Sequence, residues 1–238
     1  MRGLYRALAL SLGTVLMASV LTGCGGGSDG KRIVRIGPNQ ATDHPTHVAL
    51  LEFESYVESK LGDRYNVEVY PSELLGSQTD MVQLTQTGAI DFCVASNSIL
   101  ETFSDNYTLF NMPYLFASAE AYHASMDDPA ITGPIFDSTK KAGFEAVTWI
   151  DAGTRNFYTV STPINSPADL KGLKIRVQQS PTNVEMMRLL GGSATPMGFG
   201  EVYTALQSKI IDGAENNEMA LTSNGHGDVC KFYSYDMR

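Results

Sequence analysis

The feature that most limits what this chain can fold into is a repeated alternation of strand-like and helix-like segments. Residues 32–37 (RIVRIG) alternate apolar and polar side chains as a strand does, and residues 47–61 carry apolar side chains at helical spacing before Gly62. The same reasoning predicts strands at 65–70, 89–95, 144–150, 157–160, 173–177 and 210–217, and helices at 79–87, 119–126, 131–142, 181–190 and 201–209. Strands that alternate with helices predict an α/β protein with mainly parallel sheets flanked by helices.

The pattern starts again near Gly153, which predicts two similarly built lobes. The stretches LTQTGAIDFCVASN (84–97) and LQSKIIDGAENN (206–217) both run from a helix end with Gln, through a tight turn, to Ile-Asp and a strand. We therefore expect lobe I at residues 32–153 and lobe II at residues 154–238. Small ligands commonly bind between domains, at the carboxyl ends of parallel strands, so we expect a binding cleft between the lobes.

The N-terminus has the pattern of a secretory leader. Two arginines in residues 1–6 precede an apolar stretch at 7–21, which is too short for a membrane-spanning helix and ends in LTGC, similar to a bacterial lipobox. This predicts a lipoprotein signal peptide at residues 1–23, lipidation of Cys24 and a flexible Gly-rich tether over residues 24–31. An ordinary secretory signal or an uncleaved anchor is the alternative. Either way, we expect an extracytoplasmic protein, held in the lipidated case on the periplasmic or outer face of a cell membrane.

The charge balance argues against polyanionic partners. The 17 Lys and Arg residues face 26 Asp and Glu residues, which gives a net charge of −9, and no basic run is present. We expect no nucleic-acid partner and no membrane contact other than the lipid anchor. An anionic ligand would have to be held by a few local cations.

Motifs for catalysis or metal binding are missing from the sequence. HExxH, CxxC and P-loop patterns do not occur, and the GxSxG and GxGxxG spacings occur only within the Gly-rich tether at residues 25–30, which lacks the preceding strand that these motifs require. His44 and His47 are three residues apart, but Pro45 between them favours the start of a surface helix over a metal site. Glu215 and Glu218 could act as acid and base, yet nothing marks a nucleophile. We predict a binding protein rather than an enzyme, with no cofactor, no metal and no disulfide between Cys93 and Cys230.

Two arginines are the strongest candidates for ligand binding. Arg176 lies between Ile175 and Val177 near the end of a predicted strand, and Arg155 follows Gly153 and Thr154 at the start of lobe II. A guanidinium buried against a covered sheet needs a partner. The partner could be a carboxylate of the protein or the carboxylate of a ligand, held through two parallel hydrogen bonds. Position alone leaves both alternatives open.

Several longer motifs resemble one family. These motifs, in this order, are YPSELLGSQTDMVQLTQTGAIDF (70–92), NMPYLF (111–116), DLKGLKIRV (169–177) and GGSATPMGFGEVYTALQSKIIDGAENN (191–217). Together they are similar to the extracytoplasmic solute-binding proteins of TRAP transporters, the DctP type. The resemblance runs from about Val34 to the C-terminus.

The resemblance implies a two-lobe, periplasmic-binding-protein-like fold that closes on an organic acid and delivers it to an ion-gradient-driven membrane permease. It implies that Arg176 forms the main salt bridge to the ligand carboxylate and that Arg155 assists. Asn216 is expected to hydrogen-bond the ligand and Phe199 to pack on it. By position, Asn39 and Asn97 offer contacts from lobe I.

The segments RVQQS and GAENNE look closest to those of family members that bind sugar acids. A uronate-like ligand is therefore favoured, with a C4-dicarboxylate next. A receptor that feeds an extracytoplasmic sensory system instead of a permease would use the same binding chemistry, and this alternative stays open. Members of the family continue well past the position of Arg238, so we expect a fold that is incomplete at the C-terminus, with residues 230–238 forming a strand that crosses back towards lobe I.

Overall fold

The structure is a computed structural model that describes residues 30–236. It contains two sheets, one formed by early residues and the other by late ones. We call the part around the first sheet the first lobe and the part around the second sheet the second lobe. The predicted signal peptide, Cys24 and nearly all of the tether lie outside the described residues.

The first sheet has three parallel strands in the order β2-β1-β3: β1 Arg32–Gly37, β2 Tyr65–Val69 and β3 Phe92–Cys93. The helices that follow in this lobe are α1 Pro45–Leu61, α2 Gln78–Thr87, α3 Asn97–Leu100, α4 Ala119–Met126 and α5 Pro129–Ser138, with 3-10 segments at Asp105–Asn111 and Thr139–Ala142. The parallel pairing that the sequence predicts for this lobe is confirmed.

Local chemistry explains where α2 begins and ends. The Ser77 hydroxyl oxygen accepts a hydrogen bond from the backbone N–H of Asp80, and the Asp80 carboxylate accepts one from the backbone N–H of Ser77, so both N–H groups are capped. Gly88 ends the helix in the left-handed conformation, with φ of 72°. A side chain at Gly37 would place its Cβ 2.5 Å from the Sδ of Met81, so this glycine lets α2 pack closely against β1.

The second sheet has five strands in the order β6-β5-β7-β4-β8: β4 Asn156–Thr159, β5 Lys174–Val177, β6 Ser193–Pro196, β7 Gly213–Asn216 and β8 Phe232–Ser234. β5 pairs in parallel with β6 and β7, whereas β4 pairs antiparallel with β7 and β8. The helices are α6 Pro181–Leu189, α7 Val202–Gln207 and α8 Glu218–Ser223, with 3-10 segments at Pro167–Leu170, Phe199–Glu201 and His226–Asp228.

The second lobe has two apolar clusters. One includes Ile175, Val177 and Met187, and the other includes Tyr158, Phe199 and other buried residues from α7, β7 and α8. Residues 175–177 are all buried, so β5 is covered on both faces, while Lys174 at its start is exposed. Arg176 is therefore an interior residue, and the way its charge is met decides what the site can do.

Two sequence predictions are wrong. Residues 144–150 form no strand. They have no regular secondary structure and lie along the first lobe, where Phe144 packs edge-on against Phe103 at 5.7 Å between ring centroids and Val147 is 70% exposed. The glycine content of residues 191–200 predicts a loop-rich stretch, but Ser193–Pro196 pairs with β5 as an edge strand, a position where proline is tolerated.

In residues 30–236, every helix is too short or too polar to cross a lipid bilayer. Cys93 and Cys230 are both free thiols.

Candidate functional site

Arg176 is a buried cation with no carboxylate partner among the described residues. Its side chain is 2% exposed, and its Nε and one terminal nitrogen donate to the backbone oxygen of Met197 at 3.1 and 2.9 Å. No Asp or Glu oxygen in residues 30–236 lies within 4.0 Å of the guanidinium. The Cζ atom lies 5.7 Å from the ring centroid of Phe199, in cation–π range.

The pKa of Arg176 is lowered. Burial is the main cause, because it disfavours the charged form. The more distant Glu215 carboxylate opposes the shift, and the neighbouring Arg155 adds to it. The protein therefore holds this positive charge at a cost that a bound anion would offset.

Arg155, by contrast, is paired within its own lobe. Its Nε lies 2.5 Å from Oε2 of Glu215, and a terminal nitrogen reaches Oε1 at 3.0 Å and the backbone oxygen of the same residue at 2.7 Å. Burial tends to lower the pKa of Arg155, but the Glu215 carboxylate outweighs it, so the pKa is raised. Of the two alternatives left open by the sequence, Arg155 has the protein carboxylate and Arg176 does not.

Asn216 lies at the end of β7, next to this pair. Its Oδ1 accepts hydrogen bonds from Arg155 at 3.1 Å and from the backbone N–H of Asn217 at 2.9 Å. Its backbone oxygen accepts from the Tyr233 hydroxyl at 3.2 Å. Because the side-chain oxygen is already engaged, the amide nitrogen is the group that can donate to a ligand.

Phe199 is buried under the guanidinium of Arg176. Its ring belongs to the apolar cluster of the second lobe and meets the His226 ring at 5.4 Å between centroids. The structure thus shows contacts from Phe199 to Arg176 and His226. Packing of this ring on a ligand remains a prediction.

Asn39 lies on the loop that follows β1 in the first lobe, and Asn97 is the first residue of helix α3, which follows β3. Both are half-buried. Asn39 is flanked by Pro38 and Gln40, whose backbone oxygens accept hydrogen bonds from Glu73 at 3.3 Å and Ser72 at 2.9 Å. Asn97 follows Ser96, whose Oγ accepts a hydrogen bond of 2.7 Å from Gln178 Nε2 of the second lobe. Neither asparagine forms a hydrogen bond with the Arg176 side chain, which donates to Met197, and the roles of both asparagines remain predictions.

The two lobes meet through side chains that the sequence reasoning did not select. Glu101 Oε1 of the first lobe accepts from Ser180 Oγ at 2.7 Å and from the backbone N–H of Thr182 at 2.9 Å. Glu73 Oε2 accepts from the backbone N–H of Gly200 at 2.8 Å. Together with the Ser96–Gln178 bond, these contacts place both lobes against one another around Arg176.

Only one of these missed residues could have been found from the sequence. Gln178 is two residues beyond Arg176 in an extended segment, and residues at i and i+2 of a strand share a face. Glu73 and Glu101 contact residues that are 127 and 79 positions away. The pattern of neighbouring residues in the sequence cannot predict contacts between residues that are so far apart.

A separate cavity of about 640 Å³ lies beside β8. Its lining contains none of the six predicted ligand residues. It is formed by both lobes, at residues 113–114, 157, 163–167, 170, 186, 190 and 232–236. Within residues 30–236 no group of three or more His, Cys, Asp or Glu side chains is arranged to hold a metal ion.

The sequence and the structure match known proteins over most of the chain. The family described as bacterial extracellular solute-binding protein, family 7 (DctP), matches residues 36–237. The protein YiiZ of Salmonella typhimurium is 43% identical over 210 residues, which are 88% of this chain and 64% of YiiZ. The chain thus spans less than two thirds of the length of this curated relative.

Two solved structures are similar in fold and sequence. A TRAP periplasmic solute-binding protein from Anaerococcus prevotii, with bound α/β-D-glucuronate, is 73% identical with a TM-score of 0.86, over 87% of this chain and 67% of that chain. A TRAP periplasmic solute-binding protein from Xanthobacter autotrophicus, with bound β-D-galacturonate, is 36% identical with a TM-score of 0.80, over 84% of this chain and 66% of that chain. This likeness confirms the two-lobe α/β fold.

Proposed function

The chain belongs to bacterial extracellular solute-binding protein family 7, the DctP family, and on this premise we propose that it is the substrate-binding component of a TRAP transporter. The ligand that we propose is an organic acid, a sugar acid such as a uronate in the first place and a C4-dicarboxylate in the second. Arg176 binds the ligand carboxylate, and the closed cleft carries the acid to a membrane permease that is driven by an ion gradient.

The observation that carries this proposal is the charge of Arg176. This guanidinium is 2% exposed and has no carboxylate within 4.0 Å in residues 30–236. Burial of such a charge is unfavourable unless an anion binds to it. A planar carboxylate fits the guanidinium fork through two hydrogen bonds. The glucuronate and galacturonate bound to the two solved relatives support a sugar acid as that anion.

The cellular setting follows from the family and from the leader sequence. We propose that residues 32–153 and 154–238 are the two lobes, with the three-stranded sheet in one and the five-stranded sheet in the other. We also propose that Cys24 is lipidated and holds the protein at the membrane beside its permease. Ligand that is recovered chemically unchanged after long incubation with the protein would support binding without catalysis.

The test of the carboxylate clamp is isothermal titration of D-glucuronate into the purified protein and its variants. Arg176→Ala should weaken binding by about 2–4 kcal/mol, which is about 30- to 800-fold. Arg176→Lys should be nearly as harmful, because an ammonium cannot replace the two-pronged contact. Lys174→Ala, at an exposed position of the same strand, is the matched control and should bind normally. Unchanged affinity in Arg176→Ala would refute the clamp.

A further inference from the structure

We propose that Glu73 determines which acids the site accepts. Its carboxylate favours ligands that place a hydroxyl group near Glu73 when their carboxylate is bound to Arg176, and it disfavours ligands that place a second carboxylate near Glu73. The inference rests on the proposed function, and it selects monocarboxylate sugar acids over dicarboxylates.

Glu73 is held in an unusual backbone conformation. Ser72 and Glu73 both have φ of 56°, in the left-handed region that residues other than glycine rarely occupy. The turn is fixed on the end of β1 by hydrogen bonds from Ser72 N to Gln40 O at 2.9 Å and from Glu73 N to Pro38 O at 3.3 Å. Such conformations cluster at binding sites, where the surrounding structure holds a side chain in a required position.

The Glu73 carboxylate reaches across to the second lobe. Its Oε2 accepts the 2.8 Å hydrogen bond from the backbone N–H of Gly200. An ideal Cβ atom at Gly200 would lie 3.0 Å from that oxygen, and one at Gly198 would lie 3.6 Å from it. The glycine-rich loop around Phe199 thus leaves room for a carboxylate beside the ring that supports Arg176.

The other oxygen of Glu73 has no partner. Its Oε1 is buried and accepts no hydrogen bond from the protein. Oε1 of Gln178, which directly follows the strand of Arg176 and is 4% exposed, is likewise buried and unpartnered. Buried acceptors without donors are costly, and a ligand that donates O–H groups would satisfy them.

The charges of Glu73 and Arg176 favour the same class of ligand. Glu73 and Arg176 influence each other electrostatically without forming an ion pair within 4.0 Å. A ligand carboxylate at Arg176 meets a favourable charge, whereas a second carboxylate near Glu73 meets a like charge. A hydroxyl in that place can donate to Glu73 instead. Discrimination between two ligands often depends on such a repulsive element.

The test compares three acids by titration calorimetry: D-glucuronate, D-glucarate and succinate. D-glucarate has the hydroxyl groups of a sugar acid together with a second carboxylate, and succinate has two carboxylates and no hydroxyl. In the unmodified protein, D-glucuronate should bind tightest. Glu73→Gln keeps the side-chain size but removes the charge. It should therefore lower the ratio of the D-glucarate to the D-glucuronate dissociation constant by at least about tenfold.

The matched control is Glu52→Gln, which removes an exposed carboxylate from helix α1. It should leave the ratio of dissociation constants unchanged, because Glu52 is not among the groups that act on the Glu73 carboxylate. A Glu73→Gln ratio equal to that of the unmodified protein, while Arg176→Ala still loses D-glucuronate binding, would overturn the role of Glu73 and leave the transport proposal intact. Retention of D-glucuronate binding by Arg176→Ala would instead overturn the proposed function itself.

Discussion

The Glu101 carboxylate of the first lobe accepts a hydrogen bond of 2.7 Å from Ser180 Oγ, at the N-cap of helix α6 in the second lobe. The backbone N–H of Thr182 in the first turn of that helix donates to the same oxygen at 2.9 Å. Burial would raise the pKa of Glu101, but these hydrogen bonds outweigh burial, so its pKa is lowered. A carboxylate of the first lobe thus accepts hydrogen bonds at the N-terminus of a helix of the second lobe.

Glu101→Gln should weaken ligand binding by disfavouring closure. Glu101 is 6% exposed, and its other oxygen accepts from Asn111, so an amide NH₂ group would face a donor in either orientation. The expected cost is about 1–3 kcal/mol, which is about 5- to 150-fold in the dissociation constant for D-glucuronate. Titration calorimetry measures it, with Glu120→Gln on the exposed part of α4 as the control. Equal affinity in both variants would contradict a role of Glu101 in closure.

The two arginines should affect stability in opposite ways. Arg155→Ala leaves Glu215, which is 1% exposed, without its guanidinium, and should lower the free energy of unfolding by about 3 kcal/mol. Arg176→Met removes a buried charge that has no carboxylate partner, so the ligand-free protein should be as stable as before or more stable. Urea unfolding of the two variants without ligand checks both expectations. Equal losses in the two variants would show that Arg176 is also a structural residue.

His226 should make the protein sensitive to acid. Its ring is 1% exposed, shares a 2.9 Å hydrogen bond between Nδ1 and the Tyr158 hydroxyl, and has its pKa lowered to about 4 by burial and by the nearby Arg176. Between about pH 6.5 and 4 the unfolded chain binds the proton and the folded protein does not, so stability falls as the pH falls through this range. The contribution is about 3 kcal/mol.

The measurement compares unfolding free energies at about pH 7 and about pH 4.5 for the protein and for His226→Gln. Gln keeps a hydrogen-bonding group for Tyr158 but does not titrate. The variant should lose much less stability between the two pH values. The same loss in both proteins would assign the acid sensitivity to other groups.

Lys209→Gly should stabilise the second lobe. Lys209 follows α7 with φ of 59°, and glycine adopts this conformation without steric cost. Relief of about 1–2 kcal/mol in the folded state exceeds the extra entropy of glycine in the unfolded chain, for a net gain of about 0.5 kcal/mol. Thermal unfolding should show a small rise in Tm. Lys209→Ala removes the same side chain without relieving the backbone, and a similar rise there would exclude the backbone as the cause.

Much of the fold could be predicted because side-chain periodicity reports local burial. The β1, α1 and β2 segments agree with the sequence prediction to within about two residues at each end, and so do the strand that contains Arg176 and the helix that follows it. Residues 144–150 show the limit of this reasoning. Phe144 and Ala146 pack against the core of the first lobe at strand-like spacing, yet the segment pairs with no sheet, and periodicity alone does not distinguish the two cases.

The partners within the site could be predicted much less well. The sequence placed Arg176 and Arg155 in one lobe but could not say which of them meets a carboxylate of the protein, since Arg155 and Glu215 are 60 residues apart. The charge of a buried arginine shows that it needs a partner. The carboxylate partner of Arg155 comes close only because β4 pairs with β7 in a particular register. Glu101 and Glu73 remained unnoticed because their partners lie in the other lobe.

The contacts of Glu101 and Glu73 have a consequence for how the cleft opens. The backbone N–H groups of Thr182 and Gly200 belong to the second lobe, yet each is hydrogen-bonded to an acid of the first. When the lobes separate, these two amides lose their acceptors while the rest of their lobe stays folded. Their exchange with deuterated solvent therefore measures the opening of the cleft itself, and a bound sugar acid should slow the exchange at both positions together.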